Sequence, residues 1–136
     1  MSKSKAQSSN KIQSPNDKKY DLEERTAKFG EDIIDFVKSL KSNEVNRHLI
    51  SQVVKSATSI GANYMEADGA ESKKDFQHKI ALCKKEAKET KHWLRMIAKA
   101  NPHKNMDCRK LWQETQELTL IFSSILLLKK KKTFDI

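Results

Sequence analysis

Apolar side chains recur at steps of three and four residues in four separate stretches of this chain, the spacing that lines up one face of an α-helix. The first places Leu22, Phe29, Ile33, Phe36, Val37 and Leu40 on one stripe and predicts a helix over about 22–41. Asp21 and Glu24 have the spacing of a capping box at its start, and Ser42, Asn43 and Glu44 break it. The second helix, about 45–68, aligns Leu49, Val53, Ala57, Ile60, Tyr64 and Ala67, with Ile50 and Val54 widening the stripe and Gly69 as its stop. Ser72 and Asp75 open the third, about 73–100, where Phe76, Ile80, Cys83, Ala87, Thr90, Leu94 and Ile97 alternate steps of four and three until Asn101 and Pro102 end it. The fourth, about 107–130, repeats the rule with Leu111, Thr115, Leu118, Phe122 and Ile125, and its closing lysines complement the helix dipole.

No stretch competes as a β-strand. Connections of about four to six residues favour antiparallel neighbours, because short loops cannot return the chain to its starting end. The fold predicted for residues 20–131 is therefore all-α, an antiparallel up-down four-helix bundle. Residues 1–19, rich in Ser, Lys, Asn and Gln without periodicity, read as a flexible basic tail, and 132–136 as a short C-terminal one. At 136 residues the chain has the size of one domain and can bury about two-thirds of its unfolded surface.

The run from Leu118 to Leu128 is about half as long as the roughly 20 residues a spanning helix needs, so it reads as buried protein surface rather than membrane. Near that end Leu120, Ile121, Leu126, Leu127 and Leu128 point off the main stripe, an apolar excess that either thickens that end of the core or, as the sharper reading, forms an interface between subunits. Cys83 and Cys108 lie apart with no CxxC pair, which argues against a disulfide framework or structural zinc and for reduced thiols in a cytoplasmic protein. No apolar segment follows the charged N-terminus as a secretory signal or anchor would require.

Charge sharpens the picture. The net +9 is concentrated in the tails: residues 1–19 hold five Lys against Asp17, residues 129–136 hold four against Asp135, and +2 remains for the stretch between. Any cationic face must come from arrangement. Lys84, Lys88, Lys91, Arg95 and Lys99 step by four, three, four and four, so five positive charges share one face of the third helix. From residue 73 to 99 that helix has nine basic residues against three acidic ones. Such a rod can neutralise phosphates and release counterions, which gives sequence-tolerant binding that weakens with salt. The plainer reading is a solvated outer face.

Other constellations carry less. Glu89 and His92 form the ExxH pair used in di-iron bundles, but no second ExxH accompanies it and His92 falls opposite the apolar stripe. Trp93 and Trp112 read as packing at helix contacts rather than as a stacking platform, and Asn63, Glu66, Glu86 and Glu89 as polar groups bonding to neighbouring helices at the bundle margins. No nucleophilic elbow, phosphate loop or metal motif is present, so neither catalysis nor a metal or other cofactor is expected.

Four segments carry a family resemblance: LEERT at 22–26 with Phe29, SATSIGANYMEA at 56–67, DFQHK at 75–79 and KEAKETKHWL at 85–94. In their order and spacing the chain resembles the bacterial four-helix bundle proteins encoded within intervening sequences of 23S ribosomal RNA genes. The resemblance implies a ring-like homopentamer, no established enzymatic activity, and RNA by genomic association. A similar bundle, the accessory variability determinant of diversity-generating retroelements, is a basic nucleic-acid-binding partner of a reverse transcriptase. Together these give the expectation of a non-enzymatic cytoplasmic homo-oligomer that binds RNA or DNA without sequence specificity through Lys84, Lys88, Lys91, Arg95 and Lys99. The alternative is a structural or protein-interaction module that docks a partner through the apolar surface of the fourth helix.

Overall fold

The computed structural model describes residues 21–134, with side chains through Leu128. The expected N-terminal tail and the last residues of the C-terminal one lie outside the described residues. Four helices follow one another: α1 (Leu22–Lys38), α2 (Glu44–Asp68), α3 (Lys73–Ala100) and α4 (Asn105–Phe134), with one 3₁₀ turn at Pro102–Lys104 before α4. Among the described residues there is no strand.

The helix ends depart from expectation for local reasons. Asp21 precedes α1, but its backbone lies at φ −95°, ψ 38° and its side chain makes no capping hydrogen bond, so the predicted box does not form. At the other end α1 closes at Lys38 rather than near Lys41. The Ser39 N–H donates to Phe36 O at 3.0 Å and the Leu40 N–H to Val37 O at 3.1 Å, three-residue bonds that tighten and end the turn. Asn43 turns out to be a cap rather than a breaker. Its extended backbone lets Oδ1 accept the Asn46 N–H at 2.8 Å, so α2 starts at Glu44. Ser72 caps α3 in the same way, its Oγ accepting the Asp75 N–H at 3.0 Å. α4 begins two residues earlier than its periodicity suggested and continues through the lysine run to Phe134.

The apolar stripes meet in one core. Phe29 and Ile33 of α1, Val53 and Ile60 of α2, Ile80 and Leu94 of α3, and Leu118 and Phe122 of α4 are almost wholly buried. Tyr64 and Phe76, predicted on the stripes, pack against this core only half-buried. α3 is the central element, packing broadly on both α2 and α4, while α1 packs mainly on α2. Gly61 permits that close approach, since a Cβ there would stand 3.3 Å from the Thr26 hydroxyl oxygen.

Polar pairs fix the register of α2 on α3. The amides of Asn46 and Asn101 exchange hydrogen bonds of 3.0 and 2.9 Å, the Thr90 hydroxyl donates to Ser56 Oγ at 2.8 Å, and Lys79 Nζ meets Glu66 at 2.6 Å. The residue numbers rise along α2 as they fall along α3. Asn46, Asn101, Ser56 and Thr90 are all buried, and pairing spares each an unsatisfied polar group in the core. α1 reaches α4 through Arg25, whose guanidinium grips both oxygens of Glu114 at 2.8 and 2.9 Å and also meets Glu117 at 2.8 Å. Those carboxylates hold the Arg25 pKa above its ordinary value.

Candidate nucleic-acid interface

Helical geometry carries the five predicted cations along the flank of α3 that adjoins α4. Lys88, Arg95 and Lys99 are exposed, while Lys84 and Lys91 are half-buried nearer the seam. None of the five makes an ion pair among the described residues; the pairs present involve Arg25, Lys28 and Lys79. Lys91 alone is held. Its ammonium hydrogen-bonds Gln116 Oε1 and lies 5.1 Å from the centroid of the Trp112 ring. A row of cations without carboxylate partners is free to exchange small counterions for phosphates.

Two sequence expectations about neighbouring groups need correction. Trp93 does pack, standing half-buried and edge-on to His48 and His92, but Trp112 is 38% exposed at the mouth of a groove between α3 and α4. Of Asn63, Glu66, Glu86 and Glu89, Glu66 reaches another helix, through Lys79. Asn63 donates to Ser59 O on its own helix and Glu89 accepts from Trp93 on its own. Glu86 is half-buried; burial, then the nearby Glu89, raises its pKa. The pairs that do fix register, Asn46 with Asn101 and Ser56 with Thr90, escape sequence reasoning because they join residues 55 and 34 positions apart.

Glu89 and His92 are both exposed, and among the described residues no three His, Cys, Asp or Glu side chains gather as a metal site. Cys83 and Cys108 are buried free thiols. Burial pushes the Cys83 thiol up to about 12 and the Cys108 thiol up to about 11, so both stay protonated and inert at neutral pH. The sign of the linkage follows. A thiol whose pKa is raised by folding contributes its full stability below the ordinary thiol range and loses it as pH rises through the folded value. The thermal midpoint should therefore fall between about pH 9 and 12, and fall less in a Cys83→Ala/Cys108→Ala chain, which melting curves across that range will show. Equal slopes for the two chains would mean the thiols are not shielded.

The apolar excess on α4 divides. Ile121 and Leu126 pack partly buried against the core, whereas Leu120, Leu127 and Leu128 are 56%, 66% and 63% exposed. Among the described residues no helix is long and apolar enough to cross a membrane.

Stripe, core and connections together define an all-α, four-helix bundle protein with a cationic flank on its central helix. The chain belongs to the 23S rRNA-intervening sequence protein family, whose model matches residues 18–124. A solved structure from Bacteroides thetaiotaomicron, described as a protein with unknown function from the S23 ribosomal protein family, is 27% identical with a TM-score of 0.69. The similarity covers 77% of this chain and 97% of that one. No curated protein matches the chain. The resemblance carried by the four sequence segments is thereby established.

Proposed function

We propose that this protein is a non-enzymatic, antiparallel up-down bundle that assembles with copies of itself and binds RNA or another nucleic acid, without sequence specificity, through Lys84, Lys88, Lys91, Arg95 and Lys99. The observation that carries this reading is the row of five cations on one flank of α3, none of them neutralised by a described carboxylate. Falling α3 numbers against rising α2 numbers support the antiparallel arrangement. Leu120 and Leu127, exposed and seven residues apart on one face of α4, support self-association, for which the family resemblance suggests a cytoplasmic homopentamer. Repetition strengthens such a surface. Weak sites on one assembly act together through their effective concentration.

The test is a native mass measurement followed by an RNA-shift titration at two salt concentrations. The expected mass is about five times the 15.7 kDa of one chain. Affinity should fall roughly 100-fold between 50 and 200 mM salt if about five phosphates are neutralised. Binding indifferent to salt would contradict the electrostatic reading, and a single-chain mass would contradict the assembly.

A further inference from the structure

We infer that the groove between the last turns of α3 and the first turns of α4 holds one nucleotide of single-stranded RNA, its base on the Trp112 ring and the backbone phosphates on its two sides on Arg95 and Arg109. This rests on the nucleic-acid reading of the α3 flank and adds a second element from α4. The groove has a volume of about 470 Å³, within the range that takes a small ligand. Leu94, Ala98 and the buried Cys108 give it an apolar part, and Arg95 and Arg109 line it beside them. No Asp or Glu lines it. Neither Arg95 nor Arg109 enters an ion pair among the described residues, and both are exposed. Each therefore presents a free planar fork of donors suited to phosphate.

Trp112 supplies what a row of lysines cannot. Every base has a flat face that stacks on an indole, so a half-open Trp beside two arginines takes a splayed-out nucleotide without choosing its sequence. The amides of Asn105 and Gln113 also line the groove and offer hydrogen bonds to a base edge. Lys91, lying over the same ring, joins the groove to the cationic row, so a strand following Lys84, Lys88 and Lys91 arrives at Trp112. In a duplex the bases are stacked on one another and cannot enter. The groove thus favours single strands, a preference the α3 cations alone would not produce.

The test uses the full chain carrying Trp93→Phe, which leaves Trp112 as its one indole; Trp93 is not among the residues that line the groove. It is titrated at low salt with a ten-nucleotide single-stranded RNA and, separately, with inorganic polyphosphate of equal charge. Both polymers should bind, but only the RNA should quench Trp112 emission. Trp112→Leu in the otherwise natural chain should weaken RNA binding roughly tenfold and leave polyphosphate binding unchanged. Binding of both polymers without quenching, or an equal loss for both in the Trp112 variant, overturns the groove while leaving the α3 flank intact. Failure of both polymers to bind overturns the flank and the groove with it.

Discussion

A chain carrying Lys84→Glu, Lys88→Glu, Lys91→Glu and Arg95→Glu should lose RNA binding by more than about 100-fold at 50 mM salt while keeping its helical circular dichroism. The size of the effect follows from turning four attractive charges into four repulsive ones along one flank. The fold should tolerate the change. Lys88 and Arg95 are exposed, Lys84 and Lys91 only half-buried, and none is part of a described ion pair. The four positions already stand three and four apart as like charges, so reversal exchanges one set of weak repulsions for another, each a few tenths of a kcal/mol. What Lys91 gives up, its bond to Gln116 and its contact with Trp112, lies at the seam rather than in the core. The competing source of charge is the basic tail at 1–19 with the lysine run at 129–132. If those carry the binding, the quadruple variant will retain most of it in the same shift titration.

Phe122→Ala should cost about 3–5 kcal/mol of stability, read from the midpoint of chemical unfolding. Phe122 is a fully buried side chain of α4 in a core shared by all four helices, and truncating it leaves a cavity that rigid neighbours fill only in part. Against a total of about 5–15 kcal/mol for a domain, that is a large share. Leu127→Ala, five residues further along the same helix, makes the contrast. Its side chain is 66% exposed, so truncation should change the stability of the single chain by less than about 0.5 kcal/mol. If copies associate through this face, Leu127→Ala should lower the native mass instead. Equal costs for the two variants would mean that the stripe of α4 has been placed on the wrong side.

The stripes were legible because burial repeats with the helix. Ile80, Cys83, Ala87, Thr90, Leu94 and Ile97 can be read straight off α3, and all six are buried. Even Thr90, polar by type, lies on the stripe because Ser56 meets it there. Ends were less legible, since a cap depends on backbone angles that side-chain spacing does not encode. Asp21 has the right neighbour and the wrong ψ, whereas Asn43, passed over as a breaker, has the extended backbone that capping needs. Contacts between helices were hidden for another reason. That Lys91 meets Gln116 and Trp112, or that Ile121 and Leu126 turn inward while Leu120 and Leu127 do not, depends on the register and rotation of α4 against its neighbours. The cationic row needed neither, because all five of its members lie on one helix. The groove needed both, because Arg95 and Trp112 come from different ones.

The flank of α3 that adjoins α4 is the surface proposed to meet the polyanion. Residue-resolved NMR of the full chain, titrated with a short RNA at low salt, tests it without any substitution. Amide shifts should concentrate between Lys84 and Lys99 and fade as salt is raised. Shifts confined to α1, or to Leu120–Leu128 of α4 with residues 84–99 unmoved, would contradict it.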